Sequence, residues 1–475
     1  CCINQSGLYA RFFCLAKKEW ISLFSGIISA DIGILSSFSL DKIVMTSRVM
    51  VMGVGAFAHA VQSILQEDGA ETACYLTRPY GHYGPSALGQ TWSAEDHPSP
   101  LPLFEKFKPD LIIPQAVAWA EQPWAADLVQ QGWPIFCPVN DAMRIEISRQ
   151  ESSELCRQYG IPVPTFHHVQ NRLEARKIMQ DDPRPYVLKN PICSPFSPIH
   201  AIICESVADT LGWIERVDYA EGLFLQEYLG KEEAGHFVFI SGGEISSLVT
   251  NQEFKRAFTG DMGPLAGAPL AGLVEQDPDD KYGLARELIH PLKPWFEKTG
   301  YTGPLQVTAI RKNGVWHAIE YNIRLGVTTT ALLLRMLKNP LQTLLNVVRN
   351  QTTALEWRPQ KYFGCSLTLA GYGYPYVVPS VPKLPVEVRT PLECDLWWNE
   401  VDEDNGQLYM ANHQNYEMGH RIADVNACAP DMYSAVKLIE NEIRKLRCLA
   451  SYYRLDLKEL ADKNLSLFSS VKNKL

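Results

Sequence analysis

From Arg48 the chain reads as an apolar run, a glycine turn and then apolar residues at helical spacing: "RVMVMGVGAFAHAVQSILQEDG". That order predicts strand, tight turn, helix. Strand-like "TACYLTR" follows, then a stretch from Pro79 to Pro102 rich in Gly, Pro and Ser that reads as loop. "PDLIIPQ", a helix and "WPIFCP" continue the alternation, which predicts a doubly wound parallel sheet ending near residue 140. Residues 143–160 have the pattern of one helix stopping at Gly160. "IPVPTFHHV" is extended, "PYVLKNP" a strand, "SVADTLGWIERV" a helix and "GLFLQEYL" another strand. Two hairpins follow, "HFVFISGGEISSLVT" and "LQVTAIRKNGVWHAIEYN", the second turning at Asn313-Gly314. "TTTALLLRMLKNPLQTLLNVVRNQ" predicts a buried helix broken at Pro340. Past residue 360, strand-like runs and the amphipathic "APDMYSAVKLIENEIRKLRCLA" predict a separate α+β unit. The pattern divides the chain into 45–141, 142–355 and 356–457, with a polar, frayed tail at 458–475.

One strand breaks the rule that a core strand is apolar. "AIEYNIRLG" carries Glu320, Asn322 and Arg324 at every second position, so all three project from one face.

Composition narrows the classes. Of 475 residues, 46 % are apolar, enough for a sizeable core. A net charge of -9 argues against nonspecific binding of nucleic acid or an anionic membrane, and leaves room for a local basic pocket. The twelve cysteines include no CxxC pair and no Cys/His ligand spacing, which reads as reduced thiols of a cytoplasmic protein without structural zinc. Within the first 44 residues, "WISLFSGIISADIGIL" is interrupted by Asp31, and is too short and mixed for a membrane span. No convincing small-residue cleavage site follows it. Residues 1–44 are read as lying outside the main fold, as an extension or translated upstream sequence.

Several residues could carry chemistry. Gly53-Val54-Gly55 between strand and helix is a candidate anion site. With Ala58 it imitates a dinucleotide fingerprint, but no acidic residue ends the next strand, which disfavours a nicotinamide cofactor. A turn made for packing is the plain alternative. Lys189 ends a strand, Arg149 stands near a helix start, and Lys255 and Arg256 follow a hairpin. Singly each reads as a solvated charge. Together, such groups grip a polyphosphate. "LFLQEYLGKEE" places Gln226, Glu227, Glu232 and Glu233 at a strand end, either an adenine-reading segment or an acidic loop. Glu320 and Asn322 suit Mg²⁺, and Arg324 suits a moving phosphate. The alternative is the polar outer face of an edge strand.

In this order the pieces resemble the ATP-grasp superfamily, and within it the phosphoribosylamine–glycine ligase (glycinamide ribonucleotide synthetase) family. The likeness runs from about Met45 to Asp456. The family's "EFNxRFGDPET" stands as "EYNIRLGVTTT", its "SQDHKR" as "NQEFKR" and its "EEFLDGEEAS" as "QEYLGKEEAG". Its "SKAFAKDFMxRYGIP" is "SRQESSELCRQYGIP", and "GYGYPYVVPS" and "YYRLDL" are similar to its last motifs. The resemblance implies an α/β and α+β multidomain chain: an N-terminal doubly wound domain, a two-lobed ATP-grasp unit and a small C-terminal lobe. It implies that Arg149 and Lys189 contact ATP phosphates. Gln226, Glu227, Tyr228 and Leu229 face the adenine, and Glu233 the ribose. Lys255 and Arg324 meet the transferring phosphate, and Glu320 and Asn322 hold Mg²⁺. Gly53, Gly55, His59 and Glu253 contact the other substrates. The implied reaction joins glycine to 5-phosphoribosylamine, using ATP, in de novo purine synthesis by a cytoplasmic monomer or weak homodimer.

Departures from the family pattern concentrate at the substrate and flap motifs. "GSGGREHA" is "GVGAFAHA", with Phe57 and Ala58 for the arginine and glutamate, and "GPEAPL" is "IPQAVA", with Gln115 for a glutamate. The glycine-rich flap is "KNPICSPFSPIHAI", without glycine, and "GPNTGGMG" is shortened to "GDMGPLAG". These keep two alternatives open: a ligase for another acid and amine, or a nucleotide-binding protein with a degenerate flap.

Overall fold

The run Arg48–Met52 forms β1, and with Glu71–Leu76 (β2), Gln90–Ser93 (β3) and Leu111–Pro114 (β4) it makes a parallel sheet ordered β3-β2-β1-β4. In this computed structural model the described residues are 46–78, 82–193, 201–351, 354–375, 383–411 and 421–469, with side chains to 463. The expectations for residues 1–44, for most of the flap and for the end of the tail fall outside them. β1 is buried on both faces, as its unbroken apolar run requires. The stretch read as loop contains the helix Tyr83–Leu88 and β3. β3 pairs only with β2, at a half-exposed edge, so no apolar alternation marks it.

Residues 166–227 build a small second layer: Phe166–Val169 (β5), Tyr186–Lys189 (β6), Ala201–Ile203 (β7) and Leu223–Glu227 (β8), ordered β5-β8-β6-β7. Helices Arg172–Asp181 and Val207–Ile214 cover it, sealing Met179, Tyr186, Leu188, Ile214 and Leu225. The predicted helix 143–160 is interrupted. Ser148 leaves the helical region (φ -109°, ψ 110°), and its hydroxyl accepts the Glu151 amide, so a new helix starts at Arg149.

The largest sheet contains Glu233–Ser241 (β9), Glu244–Phe254 (β10), Ala271–Gln276, Gly303–Lys312 and Val315–Asn322. Between the second and third of these, Arg256–Phe258 (β11) and Met262–Leu265 (β12) form a separate hairpin. Numbering onward, the sheet order is β15-β14-β9-β10-β13-β16, where β13 is Ala271–Gln276, β14 Gly303–Lys312, β15 Val315–Asn322 and β16 Phe363–Gly371. Strands Arg421–Ala429 and Asp395–Trp398 extend it beyond β16. One sheet thus crosses residue 356, because β16 pairs with β13. Both predicted hairpins form. Gly242 and Gly243 turn the first, and Asn313 (φ 54°) with Gly314 (φ 82°) turns the second, where both central residues need positive φ.

The leucine-rich segment is two helices, Val327–Met336 and Pro340–Val348, with Pro340 opening the second. Its side chains and those of helix Gly55–Glu67 seal one core. Arg335 fastens that junction: its Nε and Nη2 lie 2.9 Å from the Asp395 carboxylate, and its Nη2 is 2.9 Å from Glu67 Oε1. Of the tail expected to fray, the described part lies in helix Leu457–Ser469, whose start is anchored by buried Leu457, Leu460 and Ala461 and by a bond from Tyr433 Oη to Asp462. No described helix is long and apolar enough to cross a membrane. The described cysteines are free thiols.

Candidate active site

The polar face of β15 meets the second layer at a bulge. The pairing with β14 slips between Thr308 and Ala309, leaving Ile319 as the extra residue of β15. Its carbonyl, freed from the ladder, accepts Lys189 Nζ from the end of β6 (3.4 Å) and Gln226 Nε2 from β8 (3.3 Å). The next residue, Glu320, receives Lys255 Nζ at 3.7 Å and Arg149 Nη1 at 3.5 Å. Lys255 joins β10 to β11 and also faces Glu253 (3.6 Å) and Glu233 (3.9 Å). The Ser148 break matters here. It aims Arg149 across the cleft and lets its Nε donate to Asn190 O (2.9 Å), while its backbone N–H bonds Pro191 O.

β15 ends at Asn322, so Arg324 lies past the strand rather than on it. Arg324 still returns to that face: its Nη2 donates to Asn322 Oδ1 at 3.0 Å and its Nε to Glu146 Oε1 at 3.2 Å. Glu146 was not anticipated. It lies 177 residues from Ile323, whose N–H it accepts at 2.6 Å, and no local motif marks the pairing. A buried polar chain backs the platform: Gln306 donates to Asn251, and Asn251 donates to Thr329.

Four cations (Arg149, Lys189, Lys255, Arg324) and four carboxylates (Glu146, Glu233, Glu253, Glu320) therefore share one cleft. Burial pushes the Lys189 ammonium down to about 8, helped by Arg149. Burial raises the Glu320 carboxyl, but Lys255, Lys189 and Arg149 outweigh it and hold the group well below the carboxylate range. Lys255 is displaced oppositely: burial lowers it, and Glu233, Glu320 and Glu253 together raise it. Glu233 is raised in spite of Lys255, because burial and the neighbouring carboxylates prevail. The cations balance the carboxylates, so a polyphosphate entering alone would meet as much repulsion as attraction. Glu320 and Asn322 are both hard oxygen donors and fit a divalent cation, which would remove that conflict.

Other expected residues fall elsewhere. Glu227 is tied into the second layer by Lys312 (3.0 Å) and Arg184 (3.1 Å), and the Tyr228 amide bonds Pro185 O. Leu229 continues from that strand end. Gly53, Gly55 and His59 stand at the glycine turn of the parallel sheet, and the chain's own side chains fill that turn. Gln115 Oε1 accepts the Val54 amide (2.8 Å) and Asn399 Oδ1 the Ala56 amide (2.9 Å). A Cβ on Gly53 would stand 2.7 Å from Gln115 Oε1, and one on Gly55 2.7 Å from Asn399 Oδ1. His59 Nδ1 accepts the Trp398 amide at 2.9 Å, and burial lowers its pKa to about 4, so it is neutral. Asn399 comes from 343 residues away and has no signal in the local pattern.

No family model matches the chain. Phosphoribosylamine–glycine ligase of Chlorobaculum tepidum is 23 % identical over 436 residues, 86 % of this chain and 99 % of that one. That of Corynebacterium ammoniagenes is 26 % identical over 444 residues, covering 87 % and 98 %. Among solved structures, the phosphoribosylamine–glycine ligase of Thermotoga maritima superposes with a TM-score of 0.68 at 22 % identity, covering 86 % and 99 %. Biotin carboxylase of Campylobacter jejuni gives 0.62 at 12 % identity, covering 90 % and 96 %. The chain therefore has the ATP-grasp fold and is similar over most of its length to phosphoribosylamine–glycine ligases.

Proposed function

We propose that the chain is an ATP- and Mg²⁺-dependent carboxylate–amine ligase that joins glycine to 5-phosphoribosylamine in de novo purine synthesis, in the cytoplasm. The observation that carries this reading is the convergence of Lys189, Lys255, Arg149 and Arg324 on the Glu320–Asn322 platform. In domain terms, residues 45–141 serve the amine, 142–355 hold ATP between two lobes, and 356–457 close the site.

A carboxylate is a poor acyl donor. A glycine oxygen attacks the γ-phosphorus, the bond to the β-phosphate oxygen breaks, and glycyl phosphate and ADP form. The amine nitrogen then attacks the acyl carbon, the C–O bond to phosphate breaks, and the amine's proton leaves to solvent or phosphate. Both steps need alignment and charge neutralisation more than a protein nucleophile. Lys189 holds the polyphosphate from the second layer, and Arg149 from the start of the helix after Ser148. Lys255 and Arg324 approach the transferring group from the large sheet. Gln226 to Leu229 border the adenine, and Glu233 the ribose. Glu320 and Asn322 would hold Mg²⁺, which would offset phosphate charge.

The filled glycine turn favours a second reading, a ligase of the same fold acting on an amine without a phosphate. ADP release measured with glycine and freshly made phosphoribosylamine, then with a panel of acids and amines, separates the two. Release with the first pair supports the leading reading. Release only with phosphate-free amines supports the second, and nucleotide binding with no release on any pair overturns both.

A further inference from the structure

Glu146 is the deepest carboxylate of the cleft, its side chain 2 % exposed, against 26 % for Arg324. It sits on the short helix Arg144–Ile147, just before the Ser148 break, and reaches the large sheet with both oxygens. Oε2 takes the N–H of Ile323, a fully buried residue immediately past the end of β15. Without that acceptor the amide would be a buried donor outside the ladder, a costly state. Oε1 takes Arg324 Nε. With Nη2 on Asn322, two of the guanidinium's three nitrogens are held from the protein side, and among the described residues Nη1 has no partner.

We propose that Glu146 is a positioning residue: by gripping the Ile323 amide and Arg324 Nε together, it fixes the Arg324 guanidinium so that its remaining nitrogen faces the phosphate that moves. The grip is directional because the Nε–H lies in the plane of the guanidinium fork, so one bond at Nε and one at Nη2 leave a single orientation. The second part of the proposal rests on the functional reading above, in which Arg324 meets the transferring phosphate.

Two measurements on the full chain test it. The first uses ligand-free protein. The Arg324 Nε–H resonance, assigned by its loss in Arg324→Lys, is expected to exchange slowly with solvent, and at least about tenfold faster in Glu146→Gln. Glu146→Asp should restore part of the protection, and serves alone if the Gln variant does not fold. Equal exchange in wild type and variant overturns the grip. The second measurement is the affinity for a nonhydrolysable ATP analogue divided by that for ADP, each with Mg²⁺. Glu146→Gln and Arg324→Lys should each lower this ratio by about tenfold, and the double variant no further. Losses that multiply in the double variant show that Glu146 does not act through Arg324. Wild-type protein that binds neither nucleotide overturns the ligase reading and the phosphate-facing role, while the exchange result still decides the grip.

Discussion

Nucleotide affinity should fall as pH rises through about 8, because Lys189 titrates there. Lys189 is 5 % exposed, and burial, with Arg149 beside it, brings its pKa down to about 8 from the usual lysine value. The sign follows from which form binds. A phosphate prefers the charged ammonium, so binding is complete below this value and weakens above it. If only the protonated form binds, affinity drops about tenfold per pH unit above 8, on the order of twentyfold between pH 7.5 and 9.5. Stability should move the other way, since a lysine depressed by folding ceases to cost stability as it loses its proton. Calorimetric titration with a Mg²⁺-bound nonhydrolysable ATP analogue over this range measures the slope. Lys189→Arg supplies the control, since a guanidinium stays charged throughout. A flat wild-type profile, or an equal slope in Lys189→Arg, refutes the assignment of that slope to Lys189.

Other substitutions probe separate parts of the argument. Glu320→Ala removes the anion shared by Lys255 and Arg149. It should abolish ADP release on any accepted pair while far-UV circular dichroism shows the fold retained, with a lowered thermal midpoint because Lys255 and Arg149 lose a shared partner; retained turnover would remove the platform's role. Asn399→Ala strips the acceptor from the first turn of helix Gly55–Glu67 and should cost about 1 kcal/mol in urea unfolding, the usual worth of a helix cap. Arg335→Met breaks the fork joining Glu67 and Asp395, with the arginine 12 % and Asp395 27 % exposed. A loss of about 3 kcal/mol is expected, since the half-buried Asp395 is left without its partner. A change under about 0.5 kcal/mol would place it with ordinary surface pairs.

What could be read from the chain was periodicity. Alternation found the strands, Asn313-Gly314 found the turn under the platform, and Pro340 found the break between the buried helices. The polar face of "AIEYNIRLG" was legible because a carboxylate, an amide and a guanidinium two apart defy core packing. Local pattern failed where the signal was short or lay in the partner. The Ser148-x-x-Glu151 capping box was present in the sequence, but four apolar-spaced residues before it looked like the same helix. β3 hid in a Gly- and Ser-rich stretch because an edge strand needs only one neighbour.

The partners of the site residues are a different matter, since periodicity states which face a residue occupies and not what will stand opposite. Ile319 shows the consequence: its bulge is invisible in the sequence, yet it turns a carbonyl toward Lys189 and Gln226 and so fixes where the second layer meets the platform. The same holds at the glycine turn. Its helix start reads as an anion site until Gln115 and Asn399, from 61 and 343 residues away, are seen on its amides. A phosphate must displace two well-placed oxygens there and finds in His59 a neutral ring. Of the four cations of the cleft, by contrast, three face carboxylates and Lys189 rests on the Ile319 carbonyl, so on the proposed reading a metal-bound polyphosphate meets charge already gathered there. On the proposed reading the two regions differ in what they would demand of a ligand: the cleft offers a nucleotide prepared charge, whereas the glycine turn would make an amine substrate exchange hydrogen bonds, and that difference is why substrate identity is the part of the reading to test first.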